Sequence, residues 1–307
     1  QVSAPFLVGY DSYYHTKMGL LLPSIGFAGE FPWMYWTDLR ENFINHYYGF
    51  HALLCPAVVL ADKFCGDPMV GAKTFSVLIA AGIGALLALI LRERRVPFAG
   101  LLVLLLVLAP WHFWIRLSYI RAPAPNLLLL LCGLYFALRR NYLGAGLTAF
   151  AATHLYSGGL FIAAVPCSLV AGHLLSGRIG RDVLRVLGAV AAGILLGLLT
   201  SPYFPANLSF LAREAMNMVV GPIVHAGSEW QPYSTWYFLE TSAPLLAVWG
   251  LAIVSNLRSG RKLSPDSVSL FVLQAGFFAL TCKSRHFIEY WPAFALIHIG
   301  DLLGPAI

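Results

Sequence analysis

The stretch Val70-Gly-Ala-Lys-Thr-Phe-Ser-Val-Leu-Ile-Ala-Ala-Gly-Ile-Gly-Ala-Leu-Leu-Ala-Leu-Ile-Leu91, followed at once by Arg92-Glu-Arg94-Arg95, decides the fold. A near-unbroken apolar run of this length matches the hydrocarbon thickness of a bilayer. In lipid its backbone can satisfy its own hydrogen bonds only as a helix. The arginines behind Leu91 mark the cytoplasmic flank, so the helix runs from outside to inside.

The same pattern recurs outward from this segment. Apolar spans are expected at 97–115, 124–138, 142–154, 159–175, 183–200, 240–256, 267–281 and 288–303. Basic clusters fall between them at Arg139/Arg140, Arg178/Arg181/Arg185 and Arg258/Arg261/Lys262. With every cluster cytoplasmic, the spans alternate consistently and the connections at 116–123, 155–158, 201–239 and 282–287 lie outside. A shorter apolar stretch, 49–62, contains His51 and Pro56. Parity leaves no room for it to cross, so it is expected as an interfacial or re-entrant helix within one external region, 1–68. The reading is an all-α polytopic membrane protein: a large first external loop (1–68), then a transmembrane helix bundle (69–307) with a long external loop at 201–239.

Composition agrees. Of 307 residues 59% are hydrophobic and 11% charged, against roughly 25% charged in soluble domains. The formal charge of +6 resides in topology signals and gives no reason to expect nucleic acid as a partner. The five cysteines show no metal-type spacing; Cys132 and Cys167 read as small buried residues, and Cys55 and Cys65 as unpaired rather than as a disulfide. Gln1 opens without Met or a signal-type segment, which leads us to expect a further transmembrane helix before it.

The external loops hold most side chains capable of chemistry: Asp11, His15, Asp38, Glu41, His46, His51, Arg116, Arg121, His154, Glu214, Glu229, Lys283 and Arg285. Three constellations stand out. In Gly9-Tyr-Asp11-Ser-Tyr13-Tyr14-His15-Thr-Lys17, a carboxylate beside hydroxyls and an imidazole suits a base or a cation ligand. It equally suits an aromatic belt with a capping Asp. In Gly227-Ser-Glu229-Trp230-Gln231-Pro232-Tyr-Ser-Thr-Trp236, aromatic faces and an amide make either a sugar-stacking surface or a loop tucked onto lipid headgroups. In Lys283-Ser-Arg285-His286-Phe-Ile-Glu289-Tyr290-Trp-Pro292, two cations suit an anionic headgroup, phosphate or pyrophosphate, although snorkelling accounts for a single one. Arg116 and Arg121 are either interfacial arginines or a second phosphate contact. His46 and His51 lack the zinc spacing and read as structural or substrate-contacting.

Taken in order, these motifs resemble the membrane domain of the oligosaccharyltransferase catalytic subunits, within the GT-C superfamily of polyprenol-dependent glycosyltransferases. Asp11-Ser-Tyr-Tyr-His15, with Phe31-Pro-Trp33 and Gly49-Phe-His51, is similar to the family's first-loop acidic motif. Thr153-His-Leu-Tyr156-Ser-Gly158-Gly159 is similar to a central Gly-Gly element. Ser228-Glu229-Trp230-Gln231-Pro232 resembles the Ser-Glu-x-Gln-Pro motif of the long fifth external loop, and Arg285-His-Phe-Ile-Glu-Tyr290-Trp-Pro292 an Arg-Phe-x-x-Tyr-x-x-Pro element at the lipid-linked pyrophosphate.

The resemblance implies a GT-C-type bundle that moves a sugar or oligosaccharide from a polyprenyl-phosphate or pyrophosphate donor to a glycan, lipid or polypeptide acceptor on the external face. Asp11 and Glu229 would be the catalytic acids and the ligands of a divalent Mg or Mn ion. Arg285 would neutralise the leaving group, with Tyr14, His15, Arg121, Trp230, Gln231 and Tyr290 as further substrate contacts. Two departures modify this. The second external loop, Tyr119-Ile-Arg121-Ala-Pro-Ala-Pro-Asn126, lacks the family's acidic pair and carries an arginine, so at most weak metal stimulation is expected. The sequence stops at Ile307 without the soluble C-terminal domain that reads the asparagine acceptor, as expected of either a fragment or a relative that glycosylates something else, so transfer to protein asparagine is not implied. The competing classes are a lipid or glycan transporter or flippase, which the near absence of acids and bases within the spans disfavours, and an inactive lipid-binding relative.

Overall fold

A computed structural model of the chain describes residues 5–37, 40–177, 179–219, 228–260 and 262–304. Asp38, Arg178, Arg261 and Gly227 therefore lie outside the described residues. Those residues are all-helical apart from turns and irregular segments, and they fold into a multi-pass membrane bundle. Six helices are long and apolar enough to cross a membrane, seven if a bent pair counts as one span, and two shorter apolar helices accompany them.

In chain order the helices are α1 (Tyr10–Ile25), α2 (Tyr48–Cys65), α3 (Pro68–Glu93), α4 (Ala99–Val103), α5 (Trp111–Leu117), α6 (Pro123–Leu138), α7 (Tyr142–Leu155), α8 (Ala164–Leu175), α9 (Arg181–Leu199), α10 (Ala206–Val219), α11 (Thr235–Arg258), α12 (Pro265–Lys283) and α13 (Trp291–Leu303). Local chemistry sets several starts. Asp67 caps α3 by accepting from the Met69 amide, with Pro68 at the first helical position. Ser264 and Pro265 do the same for α12, with Ser264 accepting from Ser267. Each arrangement satisfies an otherwise orphaned amide and uses a proline where no donor is needed.

α13 is the centre of the bundle. Trp291 through Leu302 are all buried, as expected of a helix that is apolar all round. Its neighbours α3, α11 and α12 pack against it, while α3 keeps Val77, Leu78 and Leu89 exposed. In a membrane protein such an outward apolar face meets lipid. Close helix contacts need small residues: a Cβ on Gly49 would sit 2.0 Å from the His154 carbonyl oxygen, so the start of α2 rests directly on the end of α7.

The bundle has two polar ends. At the first, the basic end, Arg94 donates to Asp301 at 2.7 Å and Arg140 to Asp266 at 2.7 Å. Arg139 pairs with Glu93, and Tyr142 donates to Asp182. These bonds tie together the loops carrying the basic clusters. The second end holds the α5–α6 turn, the start of α1 and the segments before α11 and α13.

Three sequence expectations need correction. The span at 97–115 is a broken helix: α4 and a 3₁₀ stretch (Leu104–Leu108) meet α5 at a bend of 103°, because Pro110 lacks the amide a continuous helix would use. Cys167 is exposed rather than buried, and the five thiols are free. The apolar core is less free of titratable groups than expected, since His298 and Asp301 are 1% and 2% exposed within α13. The 49–62 stretch forms one 18-residue helix, α2, with mean hydropathy 1.2. Its length and apolarity are those of a helix able to cross, and it is one of the six counted above. It buries Phe50, His51, Leu54, Val58 and Ala61 and packs between α1 and α3.

Candidate functional site

The site assembles from segments far apart in the chain. Gly9, at φ +80°, turns the backbone into α1 where an added Cβ would lie 3.2 Å from the Tyr119 ring. That conformation is strained for any residue with a Cβ. One turn on, Ser12 accepts from the Ile120 amide at 2.9 Å. The acidic motif of α1 is thereby fastened to the turn between α5 and α6, which carries Arg116 and Arg121. Asp11 lies in the first turn of α1 but does not cap it.

Two guanidiniums form the middle of the cluster. Arg121 donates through both terminal nitrogens to Glu229, at 3.0 and 3.3 Å, a two-point fork. Its Nε lies 3.4 Å from Asp11 Oδ2. Arg116 donates to the same Glu229 at 3.1 Å and through Nε to Glu289. His286 Nδ1 is 3.4 Å from Arg116, and Trp230 stacks on the His286 ring at 4.9 Å. The arginine side chains are 10–11% exposed and Glu289 6%, while Asp11 is 61% exposed and Glu229 30%. Two cations are thus held beneath a surface on which two carboxylates remain accessible.

The electrostatics follow from this packing. Burial alone would raise the Glu229 carboxyl, but hydrogen bonds from Arg121 and the charges of Arg121, His286 and Arg116 outweigh it and leave the pKa at about 2. Burial lowers the His286 imidazole, with Glu289 opposing. Burial and the neighbouring His51, Arg121 and His46 bring His15 down to about 2, so it is a neutral ring. Its Nδ1 meets His51 Nε2 at 2.9 Å.

The expected site residues divide into two groups. Asp11, Arg121, Glu229 and Trp230 converge on the cluster. Tyr14 edges onto His15 and Phe31 beside it, and burial, aided by Asp11, raises its phenol to about 12. Arg285 turns elsewhere: it donates to the Pro232 carbonyl at 3.2 Å and lies 5.2 Å over the Tyr233 ring. Gln231 meets this segment through its backbone, accepting from the Arg285 amide at 3.1 Å. Tyr290 is fully buried beneath the cluster, with its hydroxyl 2.7 Å from that of Tyr156 and accepting from Asn126 at 3.4 Å. His15 is likewise interior.

Residues outside the sequence-predicted site also enter. Arg116 is as central as Arg121, and Glu289 anchors it. Burial raises the carboxyl of Glu214 on α10, with Ser157 opposing. Burial lifts the Tyr47 phenol to about 12; Arg121 opposes this, while Glu214, Glu229 and Asp11 add to it. Tyr47 therefore stands among all four charges. The sequence offers Arg116 as an interfacial arginine or a second phosphate contact and carries Glu289 in the Lys283–Pro292 constellation, but nothing in it pairs the two.

A guanidinium lies between Asp11 and Glu229, and each carboxylate faces an arginine. Among the described residues no three His, Cys, Asp or Glu side chains come together as a ligand set. What the cluster can offer chemically is two forked cations for an oxyanion and two accessible carboxylates for a proton. Comparison with known proteins finds no family model that matches the chain and no curated protein similar to it.

Proposed function

We propose that the chain is a membrane glycosyltransferase of GT-C type. It would transfer a sugar or oligosaccharide from a polyprenyl-phosphate or pyrophosphate donor to an acceptor on the external face. The observation that carries this reading is the Arg116–Arg121 pair held in a fork by Glu229 and Glu289 beside the exposed Asp11. Guanidinium forks match phosphate oxygens as well as they match carboxylates. The lipid tail would lie along the bundle while its phosphate reaches this polar end.

In the reaction, the acceptor hydroxyl oxygen forms a bond to the anomeric carbon as the bond from that carbon to the phosphate oxygen breaks. The bonding electrons leave with the phosphate, where Arg116 and Arg121 meet the developing charge. The hydroxyl proton passes to a carboxylate, and Asp11 is the acid least engaged by arginine. In the free protein Glu229 holds the guanidiniums in place. When phosphate takes Arg121, Glu229 loses the partner that keeps it so weak a base and becomes available to orient the acceptor. Arg121 thus stands where the family's acidic pair would place metal ligands, and cation chemistry is supplied by the side chain itself.

The test is transfer of labelled sugar from a polyprenyl-phosphate donor to acceptor by the full chain in proteoliposomes. Wild type is expected to turn over, and Asp11→Ala and Glu229→Gln to lose turnover while still inserting and folding. Full activity in both variants removes the assignment of the site; no transfer with any polyprenyl-linked donor removes the function.

A further inference from the structure

The residues Ser284 to Glu289 join the end of α12 to the start of α13, and they grip the arginine–carboxylate cluster from two sides. Glu289, which closes the 3₁₀ turn Arg285–Glu289, holds Arg116 through its Nε. Ser284 and Arg285, at the other end, hold the main chain that carries Glu229. Ser284 donates to the Glu229 carbonyl at 3.1 Å, the Arg285 amide to the Gln231 carbonyl at 3.1 Å, and Arg285 Nε to the Pro232 carbonyl at 3.2 Å. Gln231 through Ser234 belong to no helix, so carbonyls there find no partner in a regular ladder and must find one elsewhere. Three within four positions find it on the same two residues.

The grip is itself fixed. Ser284 is 4% exposed, and its hydroxyl also accepts from the His286 amide at 3.3 Å, so it is oriented from both sides. The Arg285 guanidinium lies over the Tyr233 ring, and Trp230 closes on the His286 ring. One short turn therefore holds Glu229 by its main chain and Arg116 by its guanidinium, and so sets where the two meet.

We infer that Ser284 and Arg285 are positioning residues: they clamp the main chain at 229–232 so that the Glu229 carboxylate stands against Arg116 and Arg121 and can give up a guanidinium without its segment moving away. Arg285 acts on that segment and not on the donor phosphate. The clamp follows from the hydrogen bonds alone; its consequence for transfer rests on the proposed transferase reading.

The first experiment needs no activity. It follows the unfolding midpoint of the full chain in detergent against pH. Arg121, His286 and Arg116 are the charges that lower the Glu229 carboxyl, to about 2. The stability this contributes is lost as pH falls from the ordinary value of about 4.3 towards the folded-state one. Ser284→Ala and Arg285→Ala should each make this acid limb shallower, towards that of Glu229→Gln. Arg285→Lys, which keeps a donor for Pro232 and a cation for Tyr233, should retain the wild-type limb. In a Glu229→Gln background neither alanine change should alter the limb further. A packing role alone would lower the midpoint equally at every pH. A wild-type limb in either alanine variant, or a further change in the Glu229→Gln background, overturns the inference.

The second experiment is sugar transfer in proteoliposomes. Arg285→Ala should lower kcat about tenfold, as expected for roughly one hydrogen bond, with KM for the polyprenyl-phosphate sugar unchanged. A raised KM with kcat unchanged would make Arg285 a donor ligand and overturn the inference. Shallower acid limbs without transfer by any form would fail the transferase reading and leave the clamp standing; transfer with unaltered acid limbs would fail this inference alone.

Discussion

The two polar ends of the bundle use the same residues to opposite effect. At the basic end the arginines that pair each meet a different acid: Arg94 the buried Asp301, and Arg140 Asp266, which His173 also approaches at 3.0 Å. At the other end two arginines are divided among Asp11, Glu229 and Glu289. The first arrangement closes helix ends with matched charges. The second is shared and partly open, so one acid can leave without stranding a cation if another oxyanion takes its place. α13 joins them, beginning after Glu289 and carrying Asp301 near its end, roughly 20 Å apart at 1.5 Å per residue. The difference teaches that an arginine–carboxylate network identifies a site only when its stoichiometry leaves something to exchange.

The comparison is broken or sharpened by substitution at each end. The largest expected effect is at Arg121. Arg121→Ala should cut transfer by about 10²–10³-fold, the usual loss when one donor to a developing oxyanion is removed. Arg121→Lys should recover little, since a point charge lacks the fork; recovery to wild-type rates would reduce Arg121 to a simple charge. Next, Arg94→Ala should leave Asp301 buried without its arginine. Breaking such a pair costs about 3–5 kcal/mol, seen as a lower unfolding midpoint in detergent with turnover per folded molecule unchanged. Loss of turnover without loss of stability would erase the distinction between the two ends.

Smaller effects concern pH and metal. The Glu229 pKa is depressed to about 2, below the ordinary value of about 4.3. The stability this shift contributes is present above the ordinary value and is lost as pH falls through the folded-state value. Acid unfolding between these limits should therefore be shallower in Glu229→Gln than in wild type; identical curves would mean that Glu229 is not held by the arginines in solution. The smallest expected effect is that of chelation. EDTA should leave transfer nearly unchanged and added Mg²⁺ or Mn²⁺ should stimulate weakly, measured in the same assay. A strict metal requirement would show that the carboxylates leave their arginines for a cation.

Much of the fold was legible because hydropathy and basic clusters are local signals. Most of the apolar helices and the basic loops now tied together by Arg139–Glu93 and Arg140–Asp266 follow from them, although the span expected at 142–154 is a helix of only 14 residues, shorter than a bilayer crossing. The break at Pro110 was lost because an apolar run reads the same whether straight or bent. The candidate site was legible in its parts and not in its pairings. Asp11 and Glu229 stood out in motifs, but nothing near Arg121 in sequence shows that it would bridge them, since its partners are 108 and 110 positions away. Arg285 sits in a motif, yet the chain turns it onto Tyr233 and leaves Arg116 to meet Glu289.

The most direct measurement is a structure of the full chain in nanodiscs with a polyprenyl-pyrophosphate sugar bound. The account predicts phosphate oxygens within hydrogen-bond distance of both Arg116 and Arg121, with Glu229 released from Arg121 and Asp11 facing the anomeric carbon. A donor phosphate bound elsewhere, with the two-point Arg121–Glu229 pair intact, would contradict it.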